Sequence, residues 1–293
     1  MAETNASLGL AVSGGPDSLA LLLLPAGRTG VRAATVDHGL RPESRAEAEH
    51  VAAVCAARGV PHDILTLSLP PGTGQAGARD GRYAVLGDWC RAHGLMRLAT
   101  AHHADDQAET LLMRLARGAG LAGLSSIREE RALGEGVRLV RPLLHHRKAE
   151  LEAIVASAGL MPVRDPSNAN PRYDRTAARS LLAATPWLDP ARLAHSAAHL
   201  AEAEAALEWT VDRLEAERVG EGPSLDPVGL PPELLRRLMR RIFARFGDEP
   251  RGPELARLTA ALHKGRAGTL GPVKVTPGVR WTFTFAPPRR RDH

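Results

Sequence analysis

Lysine is missing from the first half of the chain, and this absence excludes the commonest type of phosphate-binding loop. The first lysine is Lys148. A Walker A loop needs a lysine directly after its glycines, because that lysine reaches the terminal phosphates of ATP. A nucleotide site in the first half must therefore use backbone amides, hydroxyl groups and arginines.

Cysteine and long apolar runs are also scarce. The 293 residues include two cysteines, Cys55 and Cys90, which lie far apart and form no CxxC pair. We expect both to be reduced, packed thiols, as in cytoplasmic proteins. No window approaches the ~20 apolar residues of a membrane helix. The start, MAETNASLG, predicts no signal peptide, so we expect a cytoplasmic location and no membrane partner.

Aromatic residues make up 3% of the chain, and all four phenylalanines lie in residues 227–293. That stretch carries 14 Lys and Arg against 5 Asp and Glu, a net charge of +9, whereas the rest of the chain has −4. This asymmetry predicts a polyanionic partner for the C-terminal quarter. The phenylalanines fit the core of a small domain better than base stacking.

Short apolar runs alternate with helical patterns in residues 1–185, which predicts an α/β domain with a parallel sheet. The predicted strands end at Ser13, Asp37, Leu67, Thr100 and Val140. In open sheets of this type, ligands lie beyond the carboxyl ends of the strands. The polar motifs of this chain begin at those ends, so we expect one site there.

Residues 186–293 predict a smaller, mainly helical and basic domain. A long amphipathic helix over Arg192–Glu217 would link or buttress the two parts. Further helices are predicted over Pro232–Phe246 and Glu254–His263, and a strand or hairpin over Thr269–Phe285.

The hexapeptide SGGPDS lies between the first predicted strand and the first helix. Adjacent glycines let backbone amides approach a ligand closely, and the N-terminus of a helix favours negative charge. The loop fits the pyrophosphate of ATP, and the carboxylate beside it suggests Mg²⁺ bound through ATP. The predicted ATP-binding residues here are Ser13, Gly14, Gly15, Pro16, Asp17 and Ser18. Asp37 and His38, at the end of the second predicted strand, would lie against adenine or ribose.

The segment TAHHADDQAET, residues 100–110, opens the helix after the fourth predicted strand. Asp106 and Glu109 are three residues apart and share one helical face. An aspartate here could simply cap the helix. Carboxylates in this place could also bind Mg²⁺ through water or receive a cationic amine. The segment matches none of the common zinc spacings, and no cysteine is near.

Two groups of arginines complete the candidate site. Arg79 and Arg82 lie on the first turns of a predicted helix, where they could neutralise phosphate charge. Nucleic-acid phosphates are the predicted ligands of further arginines: Arg172, Arg175, Arg179, Arg236, Arg237, Arg240 and Arg241.

Taken together, these strings resemble the tRNA(Ile)-lysidine synthetases, a family of PP-loop (N-type ATP pyrophosphatase) enzymes. The matching strings are AVSGGPDSLAL, VDHGLR, QAGARDGRY, TAHHADDQAETLLMR, RPLL and RDPSN, which cover about the first 180 residues in the family's order. The chain departs from the family pattern at Thr73, at RTAAR in place of RNxIR, and in a shorter C-terminal part.

The resemblance implies a two-step ligation with ATP and Mg²⁺. ATP would adenylate the C2 oxygen of the wobble cytidine in tRNA(Ile) with a CAU anticodon, and free L-lysine would then displace AMP to give lysidine. In that scheme Asp17 would bind Mg²⁺, and Arg82 would stabilise the charge of the activated intermediate. Asp106 and Glu109 would bind the lysine. The sequence leaves open whether the protein forms a homodimer.

Three other functions remain open on the sequence alone. The first is tRNA 2-thiolation by a PP-loop enzyme, although two isolated cysteines disfavour sulfur transfer. The second is a PP-loop ligase for a small metabolite, which would leave the basic C-terminal quarter without a purpose. The third is a nucleotide-dependent RNA-binding protein without catalysis, which would not need the His-Asp-Glu segment.

Overall fold

The computed structural model describes residues 7–25, 27–37, 43–70, 72–163 and 174–287. Contacts divide the chain into two compact units, residues 1–201 and 202–293. The division lies inside the long helix rather than at its start, because the first turns of that helix belong to the first unit. The assignment of separate functions to residues 1–185 and 186–293 stays a prediction.

The first unit contains a six-stranded sheet whose strand order is β3-β2-β1-β4-β6-β5. All neighbouring strands are parallel except β5, which runs antiparallel to β6 at the sheet edge. The strands are β1 (Leu8–Ala11), β2 (Val31–Asp37), β3 (His62–Thr66), β4 (Arg97–Ala99), β5 (Glu130–Ala132) and β6 (Arg138–Val140).

Helices cover both faces of this sheet, as its apolar strands require. They are α1 (Pro16–Leu23), α2 (Glu43–Ala56), α3 (Gln75–Ala92), α4 (Ala104–Ala116), α5 (Leu121–Leu124), α6 (Lys148–Ser157) and α7 (Asp174–Ala184), followed by the long α8 (Pro190–Arg218). On one face, Leu10 packs with Leu19, Val51 and Leu151 of the covering helices. On the other, Leu98 packs with the apolar side of α3.

Gly9 shows how closely α3 approaches the central strand. A Cβ atom at this position would lie 2.7 Å from the ring of Trp89. The indole N–H of Trp89 donates to Asp63 at 2.8 Å, so the ring is held in place and could not yield easily. Glycine in β1 therefore allows the helix that carries Arg79 and Arg82 to pack directly on the sheet.

The strand order reverses between β1 and β4, which makes the gap beyond their carboxyl ends a topological switch point. Ligands of open α/β sheets bind in this kind of crevice. SGGPDS follows β1, and His102 and His103 follow β4. The fold therefore brings the two most informative motifs of the sequence to the same crevice.

The second unit combines helices with a five-stranded antiparallel sheet of order β7-β8-β11-β10-β9. Its elements after α8 are β7 (Val219–Gly220), β8 (Ser224–Leu225), α9 (Pro232–Arg245), α10 (Gly252–His263), β9 (Gly268–Leu270), β10 (Val273–Thr276) and β11 (Trp281–Phe285). Trp281 and Phe283 are buried and pack with Phe243, whereas Phe285 is exposed and contacts Phe246 at the rim.

The predicted fold class is confirmed, with a parallel-sheet domain followed by a smaller part that contains helices and a sheet. The sequence predicted only one strand or hairpin near the C-terminus, where the structure has a sheet. In the described residues no helix has both the length and the apolar character needed to cross a membrane.

Candidate active site

The turn after β1 depends on the backbone freedom of Gly14. This residue has φ +87°, in the region that favours glycine. A Cβ there would also lie 3.0 Å from Val163 and 3.1 Å from Val51. The carbonyl of Gly14 accepts from the Val163 amide at 2.9 Å. By contrast, Gly15 has φ −68° as the N-cap of α1, and a Cβ there would meet only the Ser13 hydroxyl, at 3.9 Å.

Two serines close the SGGPDS loop on itself. The Ser13 amide donates to the Ser18 hydroxyl at 3.1 Å, and the Ser18 hydroxyl donates to the Gly15 carbonyl at 3.0 Å. Pro16 occupies the first turn of α1, where its missing N–H costs nothing. The loop therefore has a fixed shape around the N-terminus of α1.

His103 connects the loop to the helix after β4. Its Nε2 atom lies 3.6 Å from Oδ2 of Asp17 and 3.6 Å from Oδ2 of Asp106. Burial by itself lowers the pKa of His103, but Asp17, Asp106 and Asp105 outweigh it, so the pKa is raised. The predicted phosphate loop and the predicted lysine site thus share one histidine.

Asp17 has the donor chemistry expected of a residue that meets Mg²⁺ on a nucleotide. Its Oδ1 atom is buried and has no hydrogen-bond partner among the described residues. Mg²⁺ commonly takes one or two protein carboxylates together with substrate phosphates. The described residues contain no cluster of three His, Cys, Asp or Glu that could hold a metal alone. The donor set therefore fits a metal that arrives with ATP.

The two aspartates of the HHADDQAET segment have different partners. Asp106 closes a capping box, because its carboxylate accepts from the His103 amide at 3.2 Å. Asp105 instead accepts from the Lys148 amide at 2.8 Å and from Arg147. Burial opposes ionisation of Asp105, but these two donors hold its pKa below the usual value. Capping is therefore a real role here, and Asp106 keeps its second oxygen for another partner.

Glu109 is the most buried carboxylate of the site. Its side chain is 3% exposed and accepts from Arg179 Nε at 2.8 Å, while Arg175 Nε lies at 3.1 Å. Arg175 is also 4.0 Å from Oδ1 of Asp106. The structure thus joins two residues predicted for lysine with two predicted for tRNA, a contact that the sequence did not predict.

His102 lies in the opposite electrostatic environment from His103. Burial, followed by the nearby cations Arg141, Arg79, Arg82 and Arg175, lowers the pKa of His102 to about 2. Its Nδ1 is 3.0 Å from the Thr100 hydroxyl. His102 is therefore neutral in the folded protein.

Arg82, predicted for the activated intermediate, belongs to this group of cations, and its Nε atom is buried without a partner among the described residues.

Asp37, another predicted ATP contact, lies on the far side of β1. Asp37 ends β2, is buried, and accepts from the Ser44 hydroxyl at 2.7 Å. His38, together with Arg172 of the predicted tRNA contacts, lies outside the described residues. Their roles stay predictions.

Comparison with known proteins identifies the family. A family model described as a PP-loop domain matches residues 2–185. The tRNA(Ile)-lysidine synthase of Novosphingobium aromaticivorans is 50% identical, over 97% of this chain and 90% of that protein. The enzyme of the same name from Zymomonas mobilis is 47% identical, over 97% of this chain and 90% of that protein. The chain belongs to the tRNA(Ile)-lysidine synthase family.

A solved structure shares the fold at lower similarity. The U34-tRNA thiolase NcsA of Methanococcus maripaludis, solved with its [4Fe-4S] cluster, has a TM-score of 0.57 and 18% identity, over 68% of this chain and 74% of that chain. For this member of the lysidine synthase family, that likeness supports the PP-loop fold and nothing further.

Two of the arginines predicted for tRNA in the second unit of this lysidine synthase family member pair with several carboxylates. Arg237 is buried and pairs with Glu204 at 2.6 Å, and also with Glu208 and Glu233. Arg241 pairs with three carboxylates of α8, namely Glu208, which it shares with Arg237, Asp212 and Glu215.

The other two predicted arginines of α9 are more exposed. Arg236 pairs with Glu233 of its own helix. Arg240 is exposed and has no ion pair in the described part of the chain. Within the second unit, the tRNA prediction therefore depends mainly on Arg240 and Arg236. The acidic stripe of α8, spaced four, four and three residues apart, was the sequence signal that would have revealed the pairing of Arg237 and Arg241.

Proposed function

We propose that the chain uses ATP to attach L-lysine to C2 of the wobble cytidine of tRNA(Ile) with a CAU anticodon, forming lysidine. The observation that carries the proposal is the shared crevice, in which Asp17 of the PP-loop and Asp106 of the predicted lysine site both lie 3.6 Å from His103. The same function is supported by relatives named tRNA(Ile)-lysidine synthase, whose sequences match this chain over 97% of its length.

In the first step, the C2 oxygen of cytidine attacks the α-phosphorus of ATP and pyrophosphate leaves. A loop of amides and hydroxyls without a lysine is suited to hold that leaving pyrophosphate at the N-terminus of α1. Mg²⁺, carried by ATP, would neutralise phosphate charge beside Asp17. Arg82 would oppose the negative charge that develops on the adenylated cytidine.

In the second step, the ε-amine of lysine attacks C2 and AMP leaves. The ammonium must first bind near carboxylates and lose a proton. Asp106 is the better first contact, because its nearest guanidinium, that of Arg175, is 4.0 Å away. Glu109 is held by two arginines, so its contact with lysine requires Arg175 or Arg179 to exchange partners. These roles are proposals.

Arginines of each unit would contact the phosphates of the tRNA. The described candidates for phosphate contact are Arg175, Arg179, Arg236 and Arg240. We also expect the reaction to take place in the cytoplasm and the protein to form a homodimer. Arg237 and Arg241 have protein partners that already balance their charge.

Sulfur transfer is the weaker candidate. Both cysteines are buried. Burial raises the pKa of the Cys55 thiol to about 11, and that of the Cys90 thiol to about 11. Such thiols are protonated and inaccessible, whereas a catalytic cysteine needs an accessible thiolate.

One incubation tests the proposed function. The protein is mixed with ATP, Mg²⁺ and labelled lysine, together with tRNA that carries either a CAU or a CAC anticodon. We expect label in the first tRNA and none in the second, with AMP and pyrophosphate released in equal amounts to the lysine incorporated. Absence of label from the CAU tRNA would overturn the proposal.

A further inference from the structure

Four arginines surround the Tyr83 ring of α3. The guanidinium carbons of Arg79, Arg82 and Arg131 lie 5.3, 5.5 and 4.9 Å from the ring centroid. Arg141 interacts with the Tyr83 hydroxyl. The cluster thus joins α3, β5 and the residue that follows β6, and all of it belongs to the first unit.

This cluster has a large excess of positive charge. No carboxylate in the described residues pairs with any of the four guanidiniums, and the charged neighbours that affect Tyr83 are these arginines. Burial alone would raise the pKa of the Tyr83 phenol, yet the arginines lower it overall. Like charges gathered this closely destabilise a fold unless an anion joins them.

Two of the arginines are also incompletely hydrogen-bonded. Arg141 is 6% exposed, and its Nε atom is buried with no partner among the described residues; the same holds for the Nε of Arg82. Buried donors in native proteins nearly always have acceptors. Unpartnered donors and uncompensated charge at one place both point to an anionic ligand.

The position of the cluster decides which anion fits. Arg141 follows β6, and β6 is separated from β1 by β4, so β6 lies two strand spacings, or about 10 Å, from the strand that precedes the phosphate loop. Asp37, the predicted adenosine contact, ends β2 on the opposite side of β1. Arg131 of β5 and Arg141 therefore belong to the side of the sheet away from the predicted adenosine contact, and we assign the acceptor nucleotide to that side.

From this geometry we propose that Arg79, Arg82, Arg131 and Arg141 form a subsite for a phosphodiester of the tRNA strand beside the wobble cytidine. The subsite holds the backbone rather than a base, so it positions the C2 oxygen without reading the sequence. This inference rests on the proposed function, because it takes tRNA as the acceptor. It adds Arg131 and Arg141 to the residues that hold the substrate.

The test variant is Arg131→Gln, because Arg131 is exposed and its replacement leaves the core intact. The matched control is Arg138→Gln on the neighbouring strand, where the arginine pairs with Glu130 and is 59% exposed. Affinity for CAU tRNA is measured against salt concentration, without ATP or lysine. We expect Arg131→Gln to lower the salt slope by about 0.7, the value for one contact to a single strand, and the control to leave it unchanged.

A tRNA with a neutral methylphosphonate on either side of the wobble cytidine locates the contact. At one of the two positions, the modification should weaken binding to the wild type more than binding to Arg131→Gln, because the variant has already lost one of the contacts to that phosphate. Additive losses at both positions would overturn the proposal.

ATP affinity, measured without tRNA, shows whether the arginine cluster binds a phosphate of ATP or a phosphodiester of tRNA. We expect Arg131→Gln to bind ATP as the wild type does. Weaker ATP binding with an unchanged tRNA slope would assign the anion to ATP and overturn the proposal. A failure of the proposed function would give a different result. A protein that binds tRNA through Arg131 but never incorporates lysine would support the subsite and refute the ligase activity.

Discussion

The Nε–H group of Arg179 donates to Oε1 of Glu109 over 2.8 Å. Because the Glu109 side chain is 3% exposed, its charge is balanced by this arginine and by Arg175 rather than by water. One carboxylate of the proposed lysine site is therefore already paired in the free protein. The other, Asp106, caps α4 and lies 4.0 Å from a guanidinium.

This difference predicts separate effects for the two carboxylates. Asp106→Asn keeps an acceptor for the His103 amide but removes the charge offered to lysine, so we expect the lysine KM to rise about tenfold or more, as for loss of a charged hydrogen bond. Glu109→Gln should reduce lysidine formation and also lower the free energy of unfolding by about 1–3 kcal/mol, since two arginines lose their counter-charge. Steady-state kinetics with varied lysine and urea unfolding check both expectations. Unchanged lysine kinetics in both variants would refute the assignment.

The two glycines of the loop provide a matched pair of substitutions. Gly14→Ala places a Cβ at φ +87° and against Val163, so we expect a loss of stability of about 1–2 kcal/mol from the backbone conformation alone. Gly15→Ala has an ordinary φ, and its Cβ would meet only the Ser13 hydroxyl, at 3.9 Å, so the fold should be unaffected while the new methyl group obstructs the approach of ATP phosphates. Thermal unfolding and ATP binding separate the two effects. If Gly15→Ala binds ATP normally, Gly15 does not contact the phosphates.

His102 predicts a specific dependence of stability on pH. Its pKa is lowered to about 2 in the folded protein by burial and by nearby arginines, whereas the unfolded chain has the ordinary value of about 6.5. A lowered folded pKa stabilises the protein above pH 6.5, and that stability is lost as the pH falls. Between pH 7.5 and 5.5, His102 should account for a loss of about 1 kcal/mol. His102→Gln should lose less stability over this interval than the wild type, and equal losses would contradict the assigned environment.

The arginines of α9 should divide into a structural and an exposed class. Arg237→Ala leaves Glu204 buried without its partner, so we expect the second unit to lose about 3–5 kcal/mol. Arg240→Gln should leave unfolding unchanged and flatten the salt dependence of tRNA affinity. Circular dichroism and filter binding measure the two properties. A tRNA salt slope unaffected by Arg240→Gln would remove this helix from the tRNA interface.

The sequence predicted the parts of the fold whose pattern is local. β1, β2, β3, β4 and β6 and the helices between them follow apolar runs that belong to a buried parallel sheet. β5 was missed because three residues, two of them charged, form a strand only through pairing with β6. α7 was not predicted as a helix, because Ala178 is its only described residue that is buried.

The site was predictable in its motifs and not in its pairings. SGGPDS and HHADDQAET could be placed at strand ends from spacing alone, but the contact between Glu109 and Arg179 joins residues seventy positions apart. The same holds for Arg237 and Glu204. The sequence predicts Arg237 and Arg241 as contacts to a polyanion, whereas in the structure carboxylates of α8 pair with both. Charge counts do not report which charges face each other in the fold.

The most direct test of the central claim is the mass of the anticodon fragment of CAU tRNA after incubation with the protein, ATP, Mg²⁺ and lysine. We predict that the wobble cytidine gains the mass of lysine less one water, and that omission of ATP or lysine abolishes the gain. A fragment of unchanged mass, or one that carries sulfur in place of oxygen, would contradict the account.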